Sequence, residues 1–269
     1  MIRQFLLAAT LGMAAAVPAA AQTGIGTPVT AEILPGWVKS DGTRIAAIKF
    51  SLAPGWKTYW RAPGDAGIPP QFDWSRSDNL RGVGITWPAP QVFREGGVRT
   101  IGYKDELVLP ITLAPRRAGK PVRVNATLDF GVCSDICVPQ QIKVSATLNA
   151  DNTRPTPAIA AALASRADSA AEAGVTAATC DLRPSARGLE IEARLTLPPT
   201  GGQELVVIEP GQPGIWMSET DTIRKGRRLT ATGDLAAASG GAVALDRSAI
   251  TITVLGAKQV VEIKGCTPG

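Results

Sequence analysis

Histidine is absent from the 269 residues. Catalysis by Cys-His or Ser-His-Asp arrangements is therefore excluded, and the commonest ligand is missing from any zinc or copper site. Aromatic residues make up only 5% of the chain, and its formal net charge of +5 is spread without a basic block, which is too weak a field for a nucleic-acid partner. No metal site and no cofactor is expected. Beyond the first residues no segment is long and apolar enough to span a bilayer.

That first segment, Met1 to Ala21, has a basic Arg3, an apolar stretch from Phe5 to Val17 and the small-residue end Ala19-Ala20-Ala21. This is the pattern of a cleaved secretory signal. The mature chain is expected to begin at Gln22 and to reside in an oxidising space such as a bacterial periplasm, where disulfides persist.

The remainder alternates apolar and polar residues with period two. Leu189 to Leu197 puts every odd position on an apolar face, and Ile250 to Val254 repeats the pattern. Further strands are predicted at Pro28 to Leu34, Thr43 to Leu52, Leu107 to Leu113, Val122 to Val132, Gln141 to Leu148, Leu205 to Glu209, Arg228 to Ala231 and Gln259 to Lys264, between Gly/Pro-rich turns. The chain reads as all-β. One alanine-rich stretch, Ala158 to Arg166, has helix propensity with little apolar bulk, and is read as a short helix within a linker. The expected division is a signal peptide at 1–21, a first domain at 22–152, a linker at 153–177 and a second β-sandwich at 178–269. The two domains look faintly alike: Ile45 to Pro54 and Leu189 to Pro198 are ten-residue stretches that close on a leucine and a proline, Leu52-Ala53-Pro54 and Leu197-Pro198, and Pro63 to Ile68 shares a P-G-x-x-G-I spacing with Pro210 to Ile215.

Four cysteines remain to be placed. Cys133 and Cys137 sit in the run Phe130-Gly131-Val132-Cys133-Ser134-Asp135-Ile136-Cys137-Val138-Pro139, where Gly131 and Pro139 argue against a helix. A hairpin with Ser134, Asp135 and Ile136 as its loop would set the two cysteines face to face at disulfide distance. Cys180 and Cys266 lie at opposite ends of the second domain. Loop-closure entropy gives about 4.6 kcal/mol for joining them but only about 2 kcal/mol for the short pair. The long bridge reads as a staple. The short one is either an inert hairpin disulfide or a redox-active pair, and a C-x-x-x-C spacing alone does not decide between them.

Four ordered motifs bear on that choice: Gly55-Trp56-Lys57-Thr58-Tyr59-Trp60-Arg61-Ala62-Pro63-Gly64-Asp65-Ala66-Gly67-Ile68-Pro69-Pro70, Trp87-Pro88-Ala89-Pro90, Gly102-Tyr103-Lys104-Asp105-Glu106-Leu107-Val108-Leu109-Pro110, and the cysteine run itself. Together they resemble the amino-terminal domain of the thiol:disulfide interchange protein DsbD, in particular its ScsB-like branch, over roughly residues 28 to 150. The resemblance implies an immunoglobulin-like domain that takes electrons from a membrane-embedded thiol-disulfide donor and passes them to thioredoxin-like periplasmic proteins, with Cys133 and Cys137 as the exchanging pair. Two immunoglobulin-like sandwiches are then expected, with the electron donor supplied in trans. In DsbD a cap loop with an aromatic tip covers the cysteines; here the corresponding stretch, Phe93 to Arg99, has no clear aromatic tip. Phe93, Tyr59, Trp60 and Tyr103 are the candidates for cap or partner-docking residues, although aromatics beside a turn in a sandwich are more commonly packing residues. Trp216 and Met217 read as packing, and Asp65 as a turn former. Two other functional classes fit the cysteines: a non-catalytic interaction module with two structural disulfides, and a Cu(I) carrier using the two thiolates.

Overall fold

The computed structural model describes residues 27–241 and 243–269, so the expected signal segment lies outside the described residues. The chain forms ten strands, β1 (Val29–Val38), β2 (Arg44–Leu52), β3 (Lys57–Tyr59), β4 (Gln71–Asp73), β5 (Leu80–Ile85), β6 (Gln91–Glu95), β7 (Val98–Lys104), β8 (Glu106–Pro115), β9 (Val122–Cys133) and β10 (Cys137–Leu148). A helix follows, α1 (Pro157–Ala164), and then β11 (Asp168–Ser169), β12 (Ala177–Ser185), β13 (Gly188–Thr196), β14 (Leu205–Glu209), β15 (Ile215–Met217), β16 (Asp221–Lys225), β17 (Arg228–Ala237), β18 (Thr251–Leu255) and β19 (Val260–Lys264).

These strands make two sandwiches. In the first, a sheet ordered β1-β2-β8-β5 faces one ordered β10-β9-β3-β7-β6, with β4 also paired to β9. In the second, β11-β19-β18-β14 faces β12-β13-β17-β15, with β16 also on β17. The alternation in β9 fills the first core from one sheet with Val122, Val124, Ala126, Leu128 and Phe130, against Ala46, Ile48, Phe50 and Leu109 from the other. Ile191, Ala193 and Leu195 of β13 do the same in the second. The all-β, immunoglobulin-like reading of the sequence holds.

The two sandwiches share a topology. Strands β1-β2-β8-β5 correspond to β12-β13-β17-β16, and β10-β9-β3 to β19-β18-β14, with the same antiparallel neighbours in each set. The two sequence repeats fall at equivalent places: the stretches ending at Pro54 and Pro198 span most of β2 and β13, and the P-G-x-x-G-I segments follow β3 and β14. One difference matters for function. Between β16 and β17 the second copy has only the turn at Gly226 and Arg227, whereas between β5 and β8 the first copy inserts the hairpin β6–β7.

The segment expected to be a linker is part of both bodies. Ile159 of α1 is fully buried against Ile45 and Ala47 of β2, with Leu34, Trp37 and Val108 around it. This explains why β2 carries the unbroken apolar run Ile45-Ala46-Ala47-Ile48: both faces of that strand are covered. A few residues on, β11 pairs in parallel with β19 of the second sandwich.

The cores also meet directly. Leu205 and Leu255 of the second half belong to the first cluster, with Val207 and Val260 packed beside them. Arg61, stacked at 4.5 Å on the ring of the buried Trp60, crosses the junction to Glu209 at 2.8 Å and Glu262 at 2.6 Å. Burial raises the Glu262 carboxyl, but the hydrogen bond from Lys264 and the charge of Arg61 more than offset it and hold it below its ordinary value of 4.5. A carboxyl whose folded value is depressed stabilises the fold above its unfolded value, and that contribution is lost as pH falls through the folded value. Below pH 4.5 the melting temperature should therefore fall more steeply for the parent than for Arg61→Met, which has already lost the cation. Parallel acid profiles for the two proteins would show that the junction does not depend on this cluster.

Candidate functional site

Strands β9 and β10 run in unbroken register from Val122 opposite Leu148 to Cys133 opposite Cys137, so the hairpin expected from the sequence forms, with Ser134, Asp135 and Ile136 as its loop. The backbone closes it, Ser134 N–H donating to the Ile136 carbonyl at 3.1 Å. A disulfide joins Cys133 to Cys137 at a Cα separation of 4.1 Å. The two ends of the bond differ. Cys133 is 1% exposed, whereas Cys137 is exposed and follows Ile136, itself 54% exposed at the tip. The loop is open to solvent from Asp135 to Cys137, while the sulfur of Cys133 is sealed.

What seals Cys133 comes from β3. Lys57 lies opposite Cys133 and Thr58 opposite Val132, and the Thr58 hydroxyl donates to the Gly131 carbonyl at 2.9 Å. The next residue, Tyr59, is 2% exposed, and its hydroxyl sits 2.6 Å from Cys133 Sγ and 3.2 Å from Cys137 Sγ. Gly131 makes this possible. A Cβ there would stand 2.9 Å from Cε2 of Tyr59 and 2.8 Å from Cβ of Ile68, so any larger residue pushes the phenol away. Burial first, and the charge of Glu95 second, push the Tyr59 phenol above its ordinary value of 10.0. It is a proton donor throughout the neutral range.

The inserted hairpin β6–β7 folds back over this arrangement. In sheet register Lys57 is opposite Lys104 and Glu95 is opposite Val98. Those two rows are about 20 Å apart along an extended β7. Yet Lys57 Nζ is 2.5 Å from Glu95 Oε2 and 5.2 Å from the centre of the Phe93 ring. Only a hairpin bent back across β3 satisfies both. Gly96 and Gly97, at φ of 58° and 80°, give it the left-handed two-residue turn that such a tight hairpin needs.

The candidate aromatics separate by position. Tyr59 touches both sulfurs, and Phe93 is half-buried on the covering hairpin beneath the Lys57 ammonium. Trp60 and Tyr103, at 2% and 6% exposure, are core residues and present no face to a partner. The Tyr103 hydroxyl donates to the Pro88 carbonyl at 2.8 Å and its ring stacks with Trp87, which ties the Trp-Pro-Ala-Pro motif to the Gly-Tyr-Lys motif. Trp216, read as packing, is 43% exposed. Cys180 of β12 is fully buried and joined to Cys266, in the segment after β19 that runs beside β12. The sequence reading did not single out Lys57, Thr58, Arg61 or Glu95, and it used Gly131 only as an argument against a helix. Their signal was the density of unlike chemistries in Lys57-Thr58-Tyr59-Trp60-Arg61, where a half-buried strand would alternate.

The site thus joins a buried sulfur, an exposed sulfur and a phenol in contact with both. Residues 30–149 match the family described as Thiol:disulfide interchange protein DsbD, N-terminal. The DsbD match runs from β1 to the end of β10 and takes in every residue described around the cysteine pair. A solved structure, the N-terminal periplasmic domain of ScsB from Proteus mirabilis, shares the fold over 90% of this chain and 92% of its own, with a TM-score of 0.65 and 24% identity. That likeness extends beyond the DsbD region into the second sandwich. The N-terminal domain of DsbD from Neisseria meningitidis, in its reduced form, aligns over 46% of this chain and 90% of its own at 19% identity, with a TM-score of 0.25. Comparison with curated proteins gives no match. Among the described residues no helix is long and apolar enough to cross a membrane.

Proposed function

We propose that this protein relays electrons by thiol-disulfide exchange through Cys133 and Cys137, in the periplasm, between a membrane-embedded donor supplied in trans and thioredoxin-like clients. The observation that carries the reading is the Tyr59 hydroxyl lodged against both sulfurs of a disulfide with one buried and one exposed end. In this reading residues 22–152 form the redox unit, 178–269 the second sandwich, and 153–177 connect them.

The chemistry follows from access. A donor thiolate attacks Cys137 Sγ, the sulfur that solvent reaches; the Cys133–Cys137 bond breaks, a mixed disulfide forms at Cys137, and Cys133 leaves as a thiolate. That thiolate is buried and would be costly but for the phenol beside it, which donates a hydrogen bond to it. The donor's second thiolate then attacks its own sulfur in the mixed disulfide and frees Cys137. The donor dithiol has become a disulfide, two electrons have entered, and the two protons lost by the donor arrive on Cys133 and Cys137 through solvent. Run in reverse order on an oxidised client, the same steps discharge the pair: the Cys137 thiolate attacks, and Cys133 resolves the mixed disulfide.

Reduced protein should therefore pass its electrons to an oxidised thioredoxin-like protein. Tyr59→Phe keeps the ring but loses the hydroxyl, and should slow each half-reaction about ten-fold, the worth of a hydrogen bond to a charged group. Stopped-flow or quenched alkylation reads both. If the client stays oxidised while Cys133 and Cys137 keep their thiols, the bond is an inert sandwich disulfide and the relay reading falls.

A further inference from the structure

We infer that the second sandwich acts as a clasp on the covering hairpin, and that Glu219 is the residue through which it sets access to the disulfide. The inference deepens the exchange reading above by naming what holds the site closed.

The covering hairpin is an element that the second copy of the fold lacks, and yet the second copy holds it. At the tip, Glu95 and Val98 are the last cross-strand pair, and two anchors fall within five residues of it. On one side Glu95 is bound to Lys57, whose backbone lies opposite Cys133. On the other, Arg99 Nη2 lies 2.6 Å from Oε2 of Glu219, in the stretch between β15 and β16 of the second sandwich. Both partners are partly shielded, with side-chain exposures of 23% and 35%.

The loop that follows β3 is held in the same grip. A Cβ on Gly64 would stand 3.0 Å from the Arg99 carbonyl and 3.4 Å from Oε1 of Glu219, so this loop passes close to both partners of the clasp. Ile101 N–H donates to the Pro63 carbonyl at 3.0 Å, fixing the hairpin to the loop. The loop in turn backs the active phenol: a Cβ on Gly67 would lie 3.0 Å from Cδ1 of Tyr59. A continuous set of contacts thus runs from Glu219 through Arg99 and the Pro63–Gly67 loop to Tyr59 and the two sulfurs. The closed hairpin thus steadies the β3 seal over Cys133 through Lys57 and through the loop behind Tyr59, and its opening loosens that seal. The ion pair that favours the closed state is a bond between domains, so a movement of the second sandwich alters the reactivity of the first.

The test is the rate at which Cys133–Cys137 in the full mature chain is reduced by a small phosphine, read by quenched maleimide labelling. No protein partner is needed, so the result is independent of whether the relay reading stands. Glu219→Gln and Arg99→Gln should each speed reduction roughly two- to five-fold, the range for a partly exposed ion pair that biases a two-state opening. Molar salt should bring the parent to the rate of the variants. The double variant Arg99→Glu with Glu219→Arg should restore the slow rate, which a general loosening of the fold would not do. Hydrogen exchange should show the amides of residues 93–99 released in the single variants while those of β13 and β17 stay protected. Single variants that reduce at the parental rate, or a double variant that stays fast, would overturn the clasp. A failure to transfer electrons to any client, with these rates behaving as described, would remove the relay and leave the clasp in place.

Discussion

Replacing Cys133 by serine should turn the protein into a trap that accumulates as a covalent adduct through Cys137. With the buried partner gone, Cys137 can still attack an oxidised client, but nothing within the chain can resolve the mixed disulfide. The adduct should be visible as a reductant-sensitive shift on a gel and identifiable by mass spectrometry. Replacing Cys137 instead leaves only Cys133, at 1% exposure and beneath Tyr59, and adduct formation should fall at least a hundred-fold relative to the first variant, on the order expected when a thiol is sealed from its partner. Equal trapping by the two single variants would mean that the hairpin does not discriminate between the sulfurs, and that the mechanism derived from their unequal burial is wrong.

The second large effect belongs to the other disulfide. Cys180 and Cys266 are 86 residues apart in sequence, against a separation of 4 for the exchanging pair. Loop closure then assigns about 4.6 kcal/mol to the long bridge and about 2 kcal/mol to the short one. The long bridge also holds the chain end in place, for Cys180 N–H donates to the Thr267 carbonyl and Thr267 N–H to that of Ala178. Removing Cys180 and Cys266 together should lower the melting temperature of the oxidised protein by more than about 10 °C. Removing Cys133 and Cys137 together should lower it by clearly less. The reverse ranking would make the short bridge the structural one and favour the inert-disulfide reading over exchange.

How much of this was legible beforehand depended on the kind of signal. The cysteine hairpin could be placed from Gly131, Pro139 and the spacing between the sulfurs, because turn chemistry is local. Strands β2, β9, β13 and β18 could be placed because alternation or an apolar run is local as well. The covering hairpin was located only through the resemblance, since β6 is short and half-exposed, and nothing within it or β7 records that they bend back over β3. The role of Tyr59 was equally hidden. It depends on a bare Cα at Gly131, some seventy residues away, and on a strand pairing of only two residues between β3 and β9. That the linker helix docks was hidden for the opposite reason: Ile159 and Leu163 are few in number, and only the covered face of β2 shows that they suffice to hold α1.

Strand β3 and the two residues after it have a consequence for how the protein can evolve. A strand in a sandwich is ordinarily permissive at every second position, because alternate side chains meet solvent. Here Lys57 grips the hairpin, Thr58 ties down the cysteine strand, Tyr59 meets the sulfurs, Trp60 fills the core and Arg61 crosses to the second sandwich. A saturation scan should therefore return five adjacent intolerant sites where the pleat predicts a striped profile, and an insertion of one residue there would disconnect all five partners at once.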